Sequence, residues 1–308
     1  MDRQRKTAIV LIGVIIPLIS YSVTFTGTSY NSLSEASGGK ILVLTSFYPL
    51  LEFTKEVGKE KVDVQLLVPE GVEPHDWEPT IKDIQRIQTA DLVVINGLGF
   101  EKYLDDLNSI NSQIYIIDTS EVISEMIGSV NPSGDNTKFS IDPHVWLNPK
   151  LAKIQVNNIM KGLIDIDPEN QKFYKQNAQS YIQKLDELDK RFSSDLKDCR
   201  KDFIVLHNAF SYFAEEYSLQ PYPILDSNEP HSEPTSKKIE NIINLAIKLD
   251  IDTIYTERGV DSKITDVIAD EIGGNVLVLS PIEIVFEDET YLSLMKQNLE
   301  NLKRGLCN

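Results

Sequence analysis

Four histidines occur in this chain of 308 residues, and three of them stand where a loop would present an imidazole to a ligand. His75 lies in GVEPHDWEPT (71–80), where Pro74 and Pro79 fix φ and withhold backbone donors, so the stretch reads as a stiff loop. His144 lies in IDPHVWLNP, ahead of a helix, and His207 closes the apolar run FIVLH (203–207). Histidine is the commonest metal ligand near neutral pH, and three imidazoles with an oxygen donor suit tetrahedral zinc. Cys199 and Cys307 are the only cysteines and neither is near a histidine in sequence, which disfavours thiolate ligation, copper(I) and iron–sulfur clusters. Whether the two cysteines pair with each other is left open. His231, in SNEPHSEPT, has no comparable setting and is left out of the candidate set.

The elements that must position these side chains follow from hydrophobic patterning. ILVLTSF (41–47) is a continuous apolar run, the mark of a strand covered on both faces, and PLLEFTKEVG (49–58) is amphipathic and ends at a glycine. Strands over 62–68, 91–97 and 113–118 and a helix over 80–90 continue the series. From 203 onward strands over 203–207, 222–226, 252–257 and 276–280 alternate with helices. The predicted fold class is α/β, with two lobes, each a mostly parallel sheet flanked by helices. A helix over 148–166 starts at an Asn cap, and a second over 167–199 runs for about 30 residues without interior glycine or proline, roughly 45 Å. That length exceeds one lobe, so the helix is expected to bridge two lobes; a coiled-coil arm is the competing reading. The expected division is 1–39 as signal peptide or N-terminal anchor with a polar linker, 40–166 as N-terminal lobe, 167–199 as linking helix and 200–308 as C-terminal lobe.

In open α/β sheets ligands bind outside the carboxyl ends of the strands. His75 follows the strand 62–68, His207 and Glu257 end theirs, and Ser280–Glu283 follow the strand 276–280. At the amino end, Arg3, Arg5 and Lys6 precede a short apolar run, TAIVLIGVIIPLIS, a pattern of export or anchoring. No cysteine follows that run, which excludes lipidation at that point. The formal charge of −17 argues against nucleic acid and favours cations over anions. The protein is expected outside the cytoplasm, touching the membrane through its N-terminal segment alone, and to be a monomer.

GVEPHDWEPT, DPHVWLNP, VLHNAFSYFAEEYSL, EPTSKKI and YTE resemble, in order and spacing, the zinc- and manganese-binding proteins of ABC importers, the cluster A-I solute-binding family. The resemblance covers the chain from about Lys40 to its end. It implies two α/β lobes joined by one long rigid helix, metal held between them, and an ABC permease with its ATPase as partners. It implies His75 and His144 as ligands from the first lobe and His207 as the third. The family's fourth ligand is usually an aspartate in a segment like LDPLG; here the segment reads LSPIE, so Ser280 takes the aspartate's place. A neutral serine is a poor zinc ligand; the fourth donor is Glu283, three residues on, or a water, with Glu283 favoured and Glu257 read as orienting a histidine. The segment GSVNPSGDNTKFS (128–140) holds no histidine where many zinc members carry a histidine-rich loop.

The function these readings imply is a receptor that captures Zn2+, or alternatively Mn2+, and hands it to an importer; the chain is not expected to be an enzyme. One rival is an exported zinc hydrolase with an open metal position and Glu73, Asp142 or Glu283 as base. The other is a surface adhesin in which metal is incidental. No HExxH helix or nucleophile elbow supports the hydrolase.

Overall fold

The structure is a computed structural model that describes residues 39–104, 114–128, 141–225, 233–286 and 288–307. The N-terminal basic and apolar segment, His231 and residues 129–140 lie outside the described residues. Among the described residues no helix is long and apolar enough to cross a membrane.

Ile41–Thr45 (β1), Val62–Leu66 (β2), Leu92–Ile95 (β3) and Ile116–Asp118 (β4) form a four-stranded sheet in the order β2-β1-β3-β4. Asp202–Val205 (β5), Gln220–Pro223 (β6), Thr253–Thr256 (β7) and Asn275–Val278 (β8) form another, in the order β6-β5-β7-β8. Every pairing is parallel. Parallel neighbours need a crossover, and helices supply it. In the first half α1 (Tyr48–Gly58) links β1 to β2 and α2 (Ile81–Thr89) links β2 to β3, while α3 (Glu121–Gly128) follows β4. The central strands are apolar on both sides because helices cover both faces: all four residues of β3 and of β7 are buried.

Between the sheets run α4 (Pro149–Ile166) and α5 (Gln171–Asp195). Asn148 caps α4, its side chain accepting from Lys150 N at 2.8 Å, with Pro149 in the first turn. The long helix is shorter than its sequence suggests. Pro168–Asn170 form a 3-10 turn, because Asp167 takes φ −139° and ψ 71°, outside the helical region. Its carboxylate accepts from Asn170 Nδ2 and Tyr174 Oη instead of capping the backbone. The α-helix proper has 25 residues, about 37 Å. Tyr174, Ala178, Tyr181, Leu185, Leu188 and Phe192 line its buried stripe at three- and four-residue spacing. That stripe is consumed within the chain, against α1 and α4 on one side and α9 (Tyr291–Leu306) on the other, so the coiled-coil reading has no free apolar face to use.

The largest apolar core is therefore continuous through both halves, from Val43, Phe53 and Ile159 past Tyr181 and Phe192 to Phe213, Leu299 and Leu302. Smaller cores cover the outer faces of the two sheets. In the second half α6 (Ser211–Glu216), α7 (Ser236–Leu249) and α8 (Lys263–Ile272) complete the crossovers. Cys199, past the end of α5, and Cys307, at the end of α9, form a disulfide that spans 108 residues of sequence. Gly162 on α4 marks a close approach to the first sheet, where an added Cβ would overlap Ile117 Cδ1 at 1.6 Å.

Candidate metal centre

The carboxyl ends of both sheets face the same space. His75 sits in a single 3-10 turn, Pro74–Asp76, set by the two prolines and by Glu73, whose Oε1 accepts from His75 N at 3.2 Å. The ring packs edge-on against Phe100 at 4.8 Å. His144 lies in the segment before α4, where Asn96 Nδ2 donates to Pro143 O at 2.9 Å and Tyr212 Oη donates to Asp142 O at 2.9 Å. His207 follows β5 by two residues. Glu283 comes from the turn after β8, behind Ile282, a β-branched residue held at φ 63°. Such a backbone costs of order 1–3 kcal/mol and persists where its surroundings over-determine it.

One donor atom from each of His75, His144, His207 and Glu283 falls within 4.8 Å of the other three, and all four residues are buried. Nε2 of His144 lies 3.1 Å from Nε2 of His75, 3.3 Å from Nε2 of His207 and 3.1 Å from Oε1 of Glu283. His75 Nε2 and Glu283 Oε1 are 3.2 Å apart. A tetrahedral zinc with ligands at about 2.0–2.1 Å has six ligand–ligand edges of about 3.3–3.4 Å, and these four separations are close to that length. The second oxygen of Glu283 is buried without a hydrogen-bond partner.

Two carboxylates hold imidazoles from behind. Asp142 Oδ1 accepts from both the backbone N and Nδ1 of His144, the latter at 2.7 Å. Glu257 Oε1 does the same for His207, with Nδ1 at 2.6 Å. Protonation at Nδ1 leaves Nε2 as the donor aimed inward. Among the described residues no carboxylate braces His75 in that way; Glu73 accepts from its backbone N. Burial, reinforced by the charge of Glu283, pushes the Glu73 carboxyl up to about 9. Burial disfavours the charged form of His144, but Asp142 and Glu283 outweigh it and raise that imidazole to about 10. Burial likewise opposes ionisation of Glu283, yet His75 and His144 hold its carboxyl far below the usual carboxylate range.

Ser280 engages its own turn. Its Oγ accepts from Ile282 N at 3.1 Å, and its backbone is held by Asn298. Asp76 and Glu78 are exposed at the border of a cavity of about 410 Å³ that reaches His75. Sequence reasoning considered Asp142 only as a catalytic base, and it missed Asn298 and Trp146. Asp142 had a usable signal, its position two residues before His144; Asn298 had none, being distant in the chain from what it holds.

The family model described as zinc-uptake complex component A, periplasmic (ZnuA), matches residues 43–305. The high-affinity zinc uptake system protein ZnuA of Bacillus subtilis is 38% identical over 293 residues, covering 91% of this chain and 92% of that protein. The crystal structure of the Zn(II)-bound ZnuA-like domain of Streptococcus pneumoniae AdcA superposes with a TM-score of 0.75 at 31% identity, over 87% of this chain and 99% of that one. The laminin-binding protein Lmb of Streptococcus agalactiae, described as bifunctional with adhesin and metal transporting activity, gives a TM-score of 0.76 at 29% identity, over 86% and 99% of the two chains.

Proposed function

The chain belongs to the family of the periplasmic component A of zinc-uptake complexes, and on that premise we propose that it captures Zn2+ at His75, His144, His207 and Glu283 and delivers it to an ABC-type importer. It is an exported receptor, not an enzyme, and zinc is its cargo. The observation that carries the choice of residues is the convergence of four buried donors from both halves within 4.8 Å of one another, four of their six separations being 3.1–3.3 Å. Three imidazoles and one carboxylate favour zinc over manganese, whose sites draw on more oxygen donors. In this reading Glu257 and Asp142 orient imidazoles and Ser280 is not a ligand.

Residues 40–166 and 200–308 act as two lobes carried by the segment 167–199, and 1–39 as the export signal or anchor. The importer's permease and ATPase are the partners, and the protein works as a monomer that meets the membrane through its N-terminal segment. A chain with a formal charge of −17 is unsuited to nucleic acid. The likeness to Lmb supports cell adhesion as an accompanying role, in which partner binding would survive removal of the metal.

The test is metal content and competitive affinity of the purified soluble part for Zn2+ and Mn2+. Wild type is expected to prefer zinc, and His75→Ala, His144→Ala, His207→Ala and Glu283→Ala each to weaken it. Unchanged zinc binding in His144→Ala and His207→Ala would overturn the reading.

A further inference from the structure

The turn that presents Glu283 is held by residues that touch no cargo. β8 ends at Val278, and Asn298 on α9 takes over the pairing two residues further on. Its amide faces Ser280 with both arms: Oδ1 accepts from Ser280 N at 2.8 Å, and Nδ2 donates to Ser280 O at 2.7 Å. A side-chain amide that satisfies both backbone groups of one residue does what a neighbouring strand would do. Ser280 then uses its hydroxyl to accept from Ile282 N at 3.1 Å, closing the next two residues into a turn. From the other half, Trp146 Nε1 donates to Pro281 O at 2.7 Å. Ser280, Asn298 and Glu283 are all buried, and Ile282 is completely so in its left-handed conformation.

From this turn the Glu283 carboxylate reaches 3.1–3.2 Å from two imidazoles. From this we infer that Asn298 and Ser280 are positioning residues for Glu283: together they form a bracket that turns a flexible glutamate into a pre-set metal donor. The inference rests on the zinc-capture reading above and deepens it. It also gives Ser280 a role at the position where the resemblance led one to expect an aspartate ligand. The serine supplies the turn, and the negative donor has moved three residues along.

The experiment compares Asn298→Ala, Ser280→Ala, Glu283→Ala and the double variant Asn298→Ala/Glu283→Ala, measuring zinc affinity by chelator competition and the visible absorption of the Co2+-loaded protein. Asn298→Ala is expected to bind zinc about 10- to 100-fold more weakly, the usual effect of losing a residue that orients a ligand. Its Co2+ spectrum should move toward that of Glu283→Ala, and the double variant should bind no more weakly than Glu283→Ala alone, because the bracket then has nothing to hold. Wild-type affinity in Asn298→Ala, or losses that simply multiply in the double variant, would overturn the inference. If Asn298→Ala does not fold, Ser280→Ala decides: it deletes only the bond to Ile282 N, and a loss confined to the background containing Glu283 supports the bracket, while undiminished binding overturns it. His207→Ala separates the two readings. Zinc lost there but kept in Asn298→Ala sinks the bracket alone; zinc kept in both sinks the capture site itself.

Discussion

Replacing Cys199 and Cys307 together by serine removes the disulfide while leaving the contacts around it. Arg200 N still donates to Leu306 O at 2.9 Å, Lys303 still pairs with Asp195 at 3.1 Å, and Leu299, Leu302 and Leu306 stay buried. The folded state therefore loses little, and the cost falls on the unfolded chain, which is no longer closed across 108 residues. Loop-closure entropy for a ring of that size is worth about 5 kcal/mol at 25 °C. At an unfolding entropy of about 2.1 cal/mol/K per residue, a body the size of residues 34–308 turns that into a Tm drop of about 9 °C. Circular dichroism of the metal-free protein, wild type against the double serine variant and each with and without reductant, measures it. Zinc affinity should stay within about 2-fold, because the bridge lies at the start of β5 and His207 past its far end, roughly 20 Å of extended chain away. A Tm within about 2 °C of wild type would refute the loop-entropy reasoning. A fall in zinc affinity parallel to the fall in Tm would refute the claimed separation of bridge and site.

Glu257→Gln keeps the size of the side chain but removes the charge that fixes His207 Nδ1, and zinc binding should weaken about 10- to 100-fold by chelator competition. Glu101, fully buried, accepts from Asn96 N and Gly97 N, and burial raises its carboxyl to about 7 despite these bonds. A carboxyl raised on folding favours the native state fully below its unfolded value near 4.5, and that contribution is lost as pH rises through about 7. Urea unfolding across this window should show stability falling by about 3 kcal/mol from this group, and Glu101→Gln, which cannot ionise, should remove that slope. Gly162→Ala forces a methyl against Ile117 and should destabilise the protein by about 1–3 kcal/mol in the same assay.

The alternation of strand and helix was legible because strands buried on both faces appear as unbroken apolar runs, as in β1 and β3. Strand limits were less so. The run YPILD suggests a strand over 222–226, but β6 spans Gln220–Pro223: pairing begins at the exposed Gln220, before the apolar run, and past the strand's end Ile224 N and Leu225 N still donate to Val205 O and Leu206 O. Burial and pairing are different properties, and an apolar run reports only the first. At the metal centre the imidazoles stood out because histidine is scarce here and each sits where a loop leaves a strand or enters a helix. Glu283 was favoured over Ser280 on charge alone. What holds the donors was hidden, since Asn298 and Trp146 act on residues 18 and 135 positions away, and no local pattern encodes such a contact.

The four proposed donors are shared evenly: His75 and His144 hang from the first half, His207 and Glu283 from the second. Neither half alone offers more than two. The apolar core that runs through both halves keeps them together, and beside it Glu52 accepts from Tyr181 Oη and from Tyr291 N, Tyr48 Oη donates to Glu289 O, and Tyr291 Oη donates to Trp146 O. On the proposed ligand set, parting the halves would divide a four-donor cage into two weaker chelates at once. Release on that reading needs no stronger competing ligand, only a separation of the two halves.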